Sequence, residues 1–146
     1  MSLKVLFIDG FASWGELVLR LTLATALFPH GAQKVLGWFG GPGWKGSYEI
    51  FTRKMGIPAP LALIAMLTEF LGPLFLAAGF LTRFVALGVM IQMLVAMRMH
   101  VKNGFFMNWY GNQKGEGFEY HIIYAGAALG LLLMGPGCIS LDALLF

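Results

Sequence analysis

Charge is what this chain has least of. Only 12% of its 146 residues are Asp, Glu, Lys or Arg, against 58% hydrophobic residues. A soluble domain carries about 25% charged residues, so that class is set aside, and a mean hydropathy of +0.75 points to an integral membrane protein. The one cysteine, Cys138, excludes an intrachain disulfide and any CxxC redox motif. Basic residues are spread over short connecting segments with no arginine-rich stripe, so the net charge of +3 does not indicate nucleic acid. No flavin or nucleotide motif occurs, no histidine pair at matching depth suggests axial haem ligation, and no nucleophile has a placed base. No cleavable signal peptide is expected, because the first apolar stretch is long and no small-residue cleavage site with a polar sequence follows it.

What the chain does have is apolar length. Four stretches, 13–36, 60–80, 83–101 and 118–134, can each cross roughly 30 Å of hydrocarbon as helix, the last with help from its apolar flank. Short connections make sequence neighbours antiparallel, so the expected fold is all-α: one domain over residues 1–146, an up-down-up-down bundle of four membrane-spanning helices. The first connection, 37–59, and the third, 102–117, then share one membrane face; the termini and the "GFLTR" turn share the other.

The two faces are unequal. Trp38, Trp44, Trp109, Tyr48, Tyr110 and Tyr120 belong to the first, with Lys34, Lys45, Arg53, Lys54, Arg98, Lys102 and Lys114. The second has little beyond Lys4, Asp9, Trp14, Arg83 and Asp142. The positive-inside rule makes the first face cytoplasmic and puts the termini on the non-cytoplasmic side.

Polar residues inside the spans carry the functional signal. "LFPHGAQKVLGWFGGPG", at 27–43, ends an apolar run yet holds Pro29, His30, Gln33 and Lys34. Pro29 removes a backbone donor and can kink the helix. His30, Gln33 and Lys34 follow at helical spacings of 0, 3 and 4 and share one face. The glycines after them give flexible backbone, and Trp38, Phe39, Trp44 and Trp109 supply an aromatic mouth. At about 1.5 Å per residue, His30 lies roughly 9 Å and Glu69 roughly 14 Å inside that face. Arg98 and His100 end the third span there; Glu119 and His121 begin the fourth. A carboxylate at such depth should face the bundle interior beside a partner; Arg98, Lys34 or a histidine can serve. Glu16 and Arg20, four residues apart in the favourable order, are expected to form a local ion pair, with pairing across the bundle or to an anionic headgroup as the alternatives.

Taken together, "LRLTLATALFPHGAQKVLGWFGGPG", "MGIPAPLALIAMLTEFLGPLFLAAGFLTR", "HVKNGFF" and "GFEYHIIYAGAALGLLLMGPGCISLD", in that order and spacing, make the sequence resemble the DoxX family of small four-helix membrane proteins. The resemblance covers nearly the whole chain. It implies recurrent polar positions at Arg20, His30, Gln33, Lys34, Glu69, Asn103 and Glu119, a bacterial or archaeal plasma-membrane setting, and for some members a place in quinol-oxidising or thiol-stress complexes.

Several functions fit these residues. A quinone or quinol needs an apolar slot, aromatic neighbours and polar groups at its oxygens, which His30, Gln33, Glu69 and His100 can supply, with Glu69 as proton carrier. The plain alternative is a hydrogen-bonded cluster that fixes helix packing. His30, His100 and His121 are the residues a metal would use, but none shows HxxxH or HxxE spacing. Met90, Met93 and Met97 form a stripe toward His100, a pattern that more often fills gaps than binds copper. Small residues in "GPLFLAAG" and "AGAALGLLLMGPG" fit helix contacts within the bundle, in a homo-oligomer or with a larger membrane redox complex. The aromatic, basic rim suits lipid or simply the interfacial belt.

Overall fold

The computed structural model describes residues 12–146; Lys4 and Asp9, expected near the second connection, lie outside that range. All regular structure among the described residues is helical. In chain order the helices are α1 (Ala12–Val35), α2 (Gly43–Glu49), α3 (Ala59–Ala78), α4 (Thr82–His100), α5 (Glu119–Met134) and α6 (Leu141–Leu145). The four long ones lie close to the expected spans, and α1 runs without interruption through Pro29. Among the described residues there are therefore six α-helices where four were expected. By length and composition two qualify to cross a membrane among the described residues: α3, and α4 with the 3-10 turn that continues it to Asn103. Helix α5 is apolar but shorter, and α1 carries Glu16, Arg20, His30 and Lys34.

α1 packs most extensively on α3, and α4 on α5; contacts between α3 and α4 and between α1 and α5 close the ring. Leu23, Leu27, Leu76, Val89, Ala128 and Leu131 fill its centre. The outward faces are apolar as well. On α3 the exposed residues include Leu61, Ile64, Leu67, Leu71 and Leu74, while its buried positions include Ala62, Gly72 and the charged Glu69. This inverts the usual amphipathic helix, whose polar stripe faces water.

The 37–59 connection is not the flexible segment its glycines suggested. It folds into a 3-10 turn at Trp38–Gly40, then α2, then a π-turn at Ile50–Lys54. The cause is an apolar anchor: Phe51 is buried against Ala62 and Met66 of α3.

At the opposite end, a glycine turn and two side chains tie the helix termini together. Gly79 (φ +67°) ends α3 with Gly79 N–H donating to Leu76 O at 3.1 Å and Phe80 N–H to Phe75 O at 2.9 Å, the paired C-terminal bonds that favour glycine. The Asp142 carboxylate, from α6, accepts from the N–H groups of Leu81 (2.7 Å) and Thr82 (2.9 Å) and so caps α4 from a distant part of the chain. Arg83 donates to the carbonyls of Leu132 (2.8 Å) and Leu133 (3.3 Å), a cation at the C-terminal end of α5.

Candidate functional site

Close backbone approach sets up the site. A Cβ on Gly31 would collide with the Glu69 carbonyl and lie 2.6 Å from Phe70 Cα, so only glycine lets α1 lie this tightly on α3. Lys34, nearly one turn further along α1, then reaches Glu69, and its ammonium donates to Glu69 Oε2. The other carboxylate oxygen, Oε1, accepts from Gln92 Nε2 of α4 at 2.6 Å. Gln92 Nε2 also donates to Ala65 O at 3.3 Å. Both amide hydrogens of Gln92 are thus engaged, and only its carbonyl oxygen remains to accept from a ligand. Glu69 is buried, with 8% of its surface exposed. Such a group persists in an apolar setting only because it is paired and hydrogen-bonded.

This network faces a cavity of about 510 Å³. Leu27, Phe51, Ile57, Ala65, Val95 and Ala96 supply apolar wall. Besides Lys34, Glu69 and Gln92, the polar lining comes from His30, Glu116, Tyr120, Tyr124 and the pair His100 and His121. The two imidazoles stack with centroids 4.7 Å apart. A volume of this size falls in the range of small-molecule sites.

Of the residues singled out from sequence, the cavity gathers His30, Lys34, Glu69, His100 and His121. Gln33 instead donates to Phe39 O at 3.4 Å. Arg98 is exposed and is not part of the lining. Asn103 donates to Glu116 O at 2.9 Å, bracing the α4–α5 connection. Glu119 accepts from Trp109 Nε1 at 3.4 Å. Trp38, Phe39, Trp44 and Trp109 are all exposed, and none lines the cavity; its aromatic groups are Phe51, Tyr120 and Tyr124.

The expected Glu16–Arg20 ion pair is replaced. Arg20 is fully buried and donates to Leu76 O at 3.3 Å and to Ile139 O, while Glu16 Oε2 is buried without a hydrogen-bond partner. The C-terminal carbonyls of α3 and the chain entering α6 converge beside Arg20, and a planar guanidinium satisfies both.

Gln92 is the main residue that the sequence reading passed over. Its signal was present: an amide between Ile91 and Met93, deep in an apolar helix, has the same claim to a partner as Glu69. Among the described residues, no three His, Cys, Asp or Glu side chains converge as a metal cage.

A DoxX family model matches residues 15–109, well over half of the chain. An uncharacterised protein of Haemophilus influenzae is 33% identical over 138 residues, covering 88% of this chain and 82% of that protein. No solved structure matches the chain. The matched region contains Arg20, Gly31, Lys34, Glu69, Gln92 and His100; His121 lies beyond it.

Proposed function

The chain belongs to the DoxX family, and from that premise we propose an integral membrane protein, with α1, α3, α4 and α5 all crossing the bilayer, whose cavity binds a neutral amphiphile of the quinone or quinol type. Outward apolar residues on every one of these helices support the four-span reading: Val18 and Leu21 on α1, Leu61 and Ile64 on α3, Phe84 and Ile91 on α4, Ile123 and Leu133 on α5. Two of the polar groups that lower the hydropathy of α1, Arg20 and Lys34, are turned inward to partners. At about 1.5 Å per residue its 24 residues reach about 36 Å, enough to span.

The observation that carries the ligand class is the Lys34–Glu69–Gln92 network opening on an otherwise largely apolar cavity. Lys34 and Glu69 cancel in charge, so the site favours a neutral head. Lys34 retains N–H donors and Gln92 retains an acceptor, which matches a group bearing carbonyl or hydroxyl oxygens. The apolar wall suits a ring and the start of a tail, and Glu69 is placed to take or return a proton. In this reading the protein is a redox-associated subunit of the plasma membrane.

The test is identification by mass spectrometry of small molecules extracted from protein purified from native membranes. Quinone is expected with the parent, and its loss is expected in Glu69→Gln with the helical bundle still folded. If Glu69→Gln lowers only thermal stability and the ligand content is unchanged, the network is a packing device.

A second reading, an assembly subunit without chemistry of its own, is favoured by a shallow outward groove between α3 and α4 lined by Thr68, Gly72, Val85 and Gly88, where small residues allow another helix to approach. Co-purification with a larger partner at fixed stoichiometry would support it; recovery as a free homo-oligomer would count against it.

A further inference from the structure

The cavity holds a second chemistry that the Lys34–Glu69–Gln92 network leaves unused. Methionines from separate parts of the chain line it: Met55 from just after the π-turn, Met93 and Met99 from α4, and Met107 from the α4–α5 connection. Met93 is buried in the bundle core, whereas Met55, Met99 and Met107 are partly exposed. The same cavity contains the stacked imidazoles of His100 and His121. His100 Nδ1 lies 2.8 Å from Ala96 O, a carbonyl that can only accept, so in the neutral ring the proton sits on Nδ1 and the lone pair on Nε2. A ligating histidine is commonly held this way, with one ring nitrogen donating to a backbone carbonyl and the other free for the metal. His121 Nδ1 is buried, with the Phe118 carbonyl on the preceding turn beside it.

The donors on offer decide which ion fits. Glu69 is spent on Lys34 and Gln92, and among the described residues no three His, Cys, Asp or Glu side chains gather as a cage. Among the described residues, hard cations and zinc-type sites therefore find no clustered ligand set. Thioether sulfur with imidazole nitrogen is a soft set, and soft sulfur ligands select Cu(I). We infer that this cavity binds Cu(I), held by an imidazole of the His100–His121 pair and by thioethers drawn from Met55, Met99 and Met107.

Methionine has an unbranched side chain with three rotatable bonds, which lets a thioether reposition without moving its helix. The same flexibility makes methionine a gap filler, and the two roles separate under substitution. Leucine fills the space equally well but has no sulfur. The inference does not rest on the quinone reading: the thioethers that carry it belong to neither the Lys34–Glu69–Gln92 network nor the other groups offered to a quinone, with which it shares only His100 and the cavity.

The experiment is anaerobic competition for Cu(I) between the purified apoprotein, in nanodiscs, and a chromophoric Cu(I) chelator, with X-ray absorption on the copper-loaded parent. The parent is expected to withdraw Cu(I) from the chelator, saturating at equimolar copper, with both sulfur and nitrogen neighbours around the metal. The Met55→Leu, Met99→Leu, Met107→Leu triple variant, and separately His100→Phe, are expected to weaken binding by about tenfold or more. Thermal unfolding of the apo forms verifies that the substitutions leave the bundle folded, and Met107→Leu alone, in a connection rather than a helix, serves if the triple variant does not fold. The inference is overturned if the parent takes no Cu(I) from the chelator, if the absorption spectrum has no sulfur shell, or if the methionine variants bind like the parent.

Discussion

Replacing Lys34 with methionine separates the two halves of the ion pair at the cavity wall. The Glu69 side chain is 10% exposed and that of Lys34 26%, so the halves are unequal. With Lys34 gone, the carboxylate keeps Gln92 Nε2 at 2.6 Å but no cation. Removing one partner of a buried pair costs about 3–5 kcal/mol, most of it the cost of the stranded charge. The partial exposure of Lys34 puts the expected loss at the lower end, about 3 kcal/mol. Glu69→Gln should be milder, about 1 kcal/mol: the amide still accepts a hydrogen bond, and the long lysine stem can carry its ammonium toward water. Combining the two substitutions removes both charges and should recover at least half of the Lys34→Met loss. For a chain of this size about 1 kcal/mol corresponds to roughly 2–4 °C in Tm, so Lys34→Met should fall by roughly 6–12 °C. Thermal unfolding followed by circular dichroism in one detergent measures all four proteins. Equal losses in the two single variants, or a double variant whose loss is their sum, would refute the reasoning that the stranded carboxylate dominates.

Other substitutions test the contacts that build the site. Gly31→Ala puts a Cβ into the Glu69 carbonyl and must push α1 off α3; a loss of about 1–3 kcal/mol is expected, together with weaker ligand retention, and an unchanged Tm would show that the helices are not this close. Arg20→Met strands the carbonyls of Leu76 and Ile139; since hydrogen bonds to charged groups contribute about 1.5–3 kcal/mol, a Tm drop of several degrees should accompany faster hydrogen exchange around Gly79 and Ser140. Asp142→Ala removes the cap on Leu81 and Thr82; it should cost about 0.5–2 kcal/mol, with exchange rising selectively in the first turn of α4, and uniform exchange along α4 would contradict the capping role.

The long helices were legible because apolar runs of sufficient length admit little else. The extents of α1, α3, α4 and α5 could be read from composition and from punctuation such as Gly37, Pro58 and Gly79. Helix α2 was missed because glycines at 37, 40, 41, 43 and 46 read as loop; its formation depends on Phe51 docking against Ala62 and Met66, a contact distant in sequence. The aromatic mouth was overread. Trp38, Trp44 and Trp109 share an end of the molecule with the cavity, but having a common end does not place a ring in its wall.

From its residues alone, the chain was bound to be helical and too apolar for a soluble core, with a few ionisable groups placed where each needs a partner. Tertiary structure decided the partners. Glu69 had Arg98, Lys34 and the histidines as options, and the close approach at Gly31 selected Lys34 while the facing turn of α4 brought Gln92. Arg20 had Glu16 one turn away, yet backbone carbonyls from α3 and from the approach to α6 hold it instead. Periodicity says which face of a helix a side chain occupies. Which groups meet across a bundle depends on how each helix is rotated and how near its neighbour the backbone can come, and those are properties of packing.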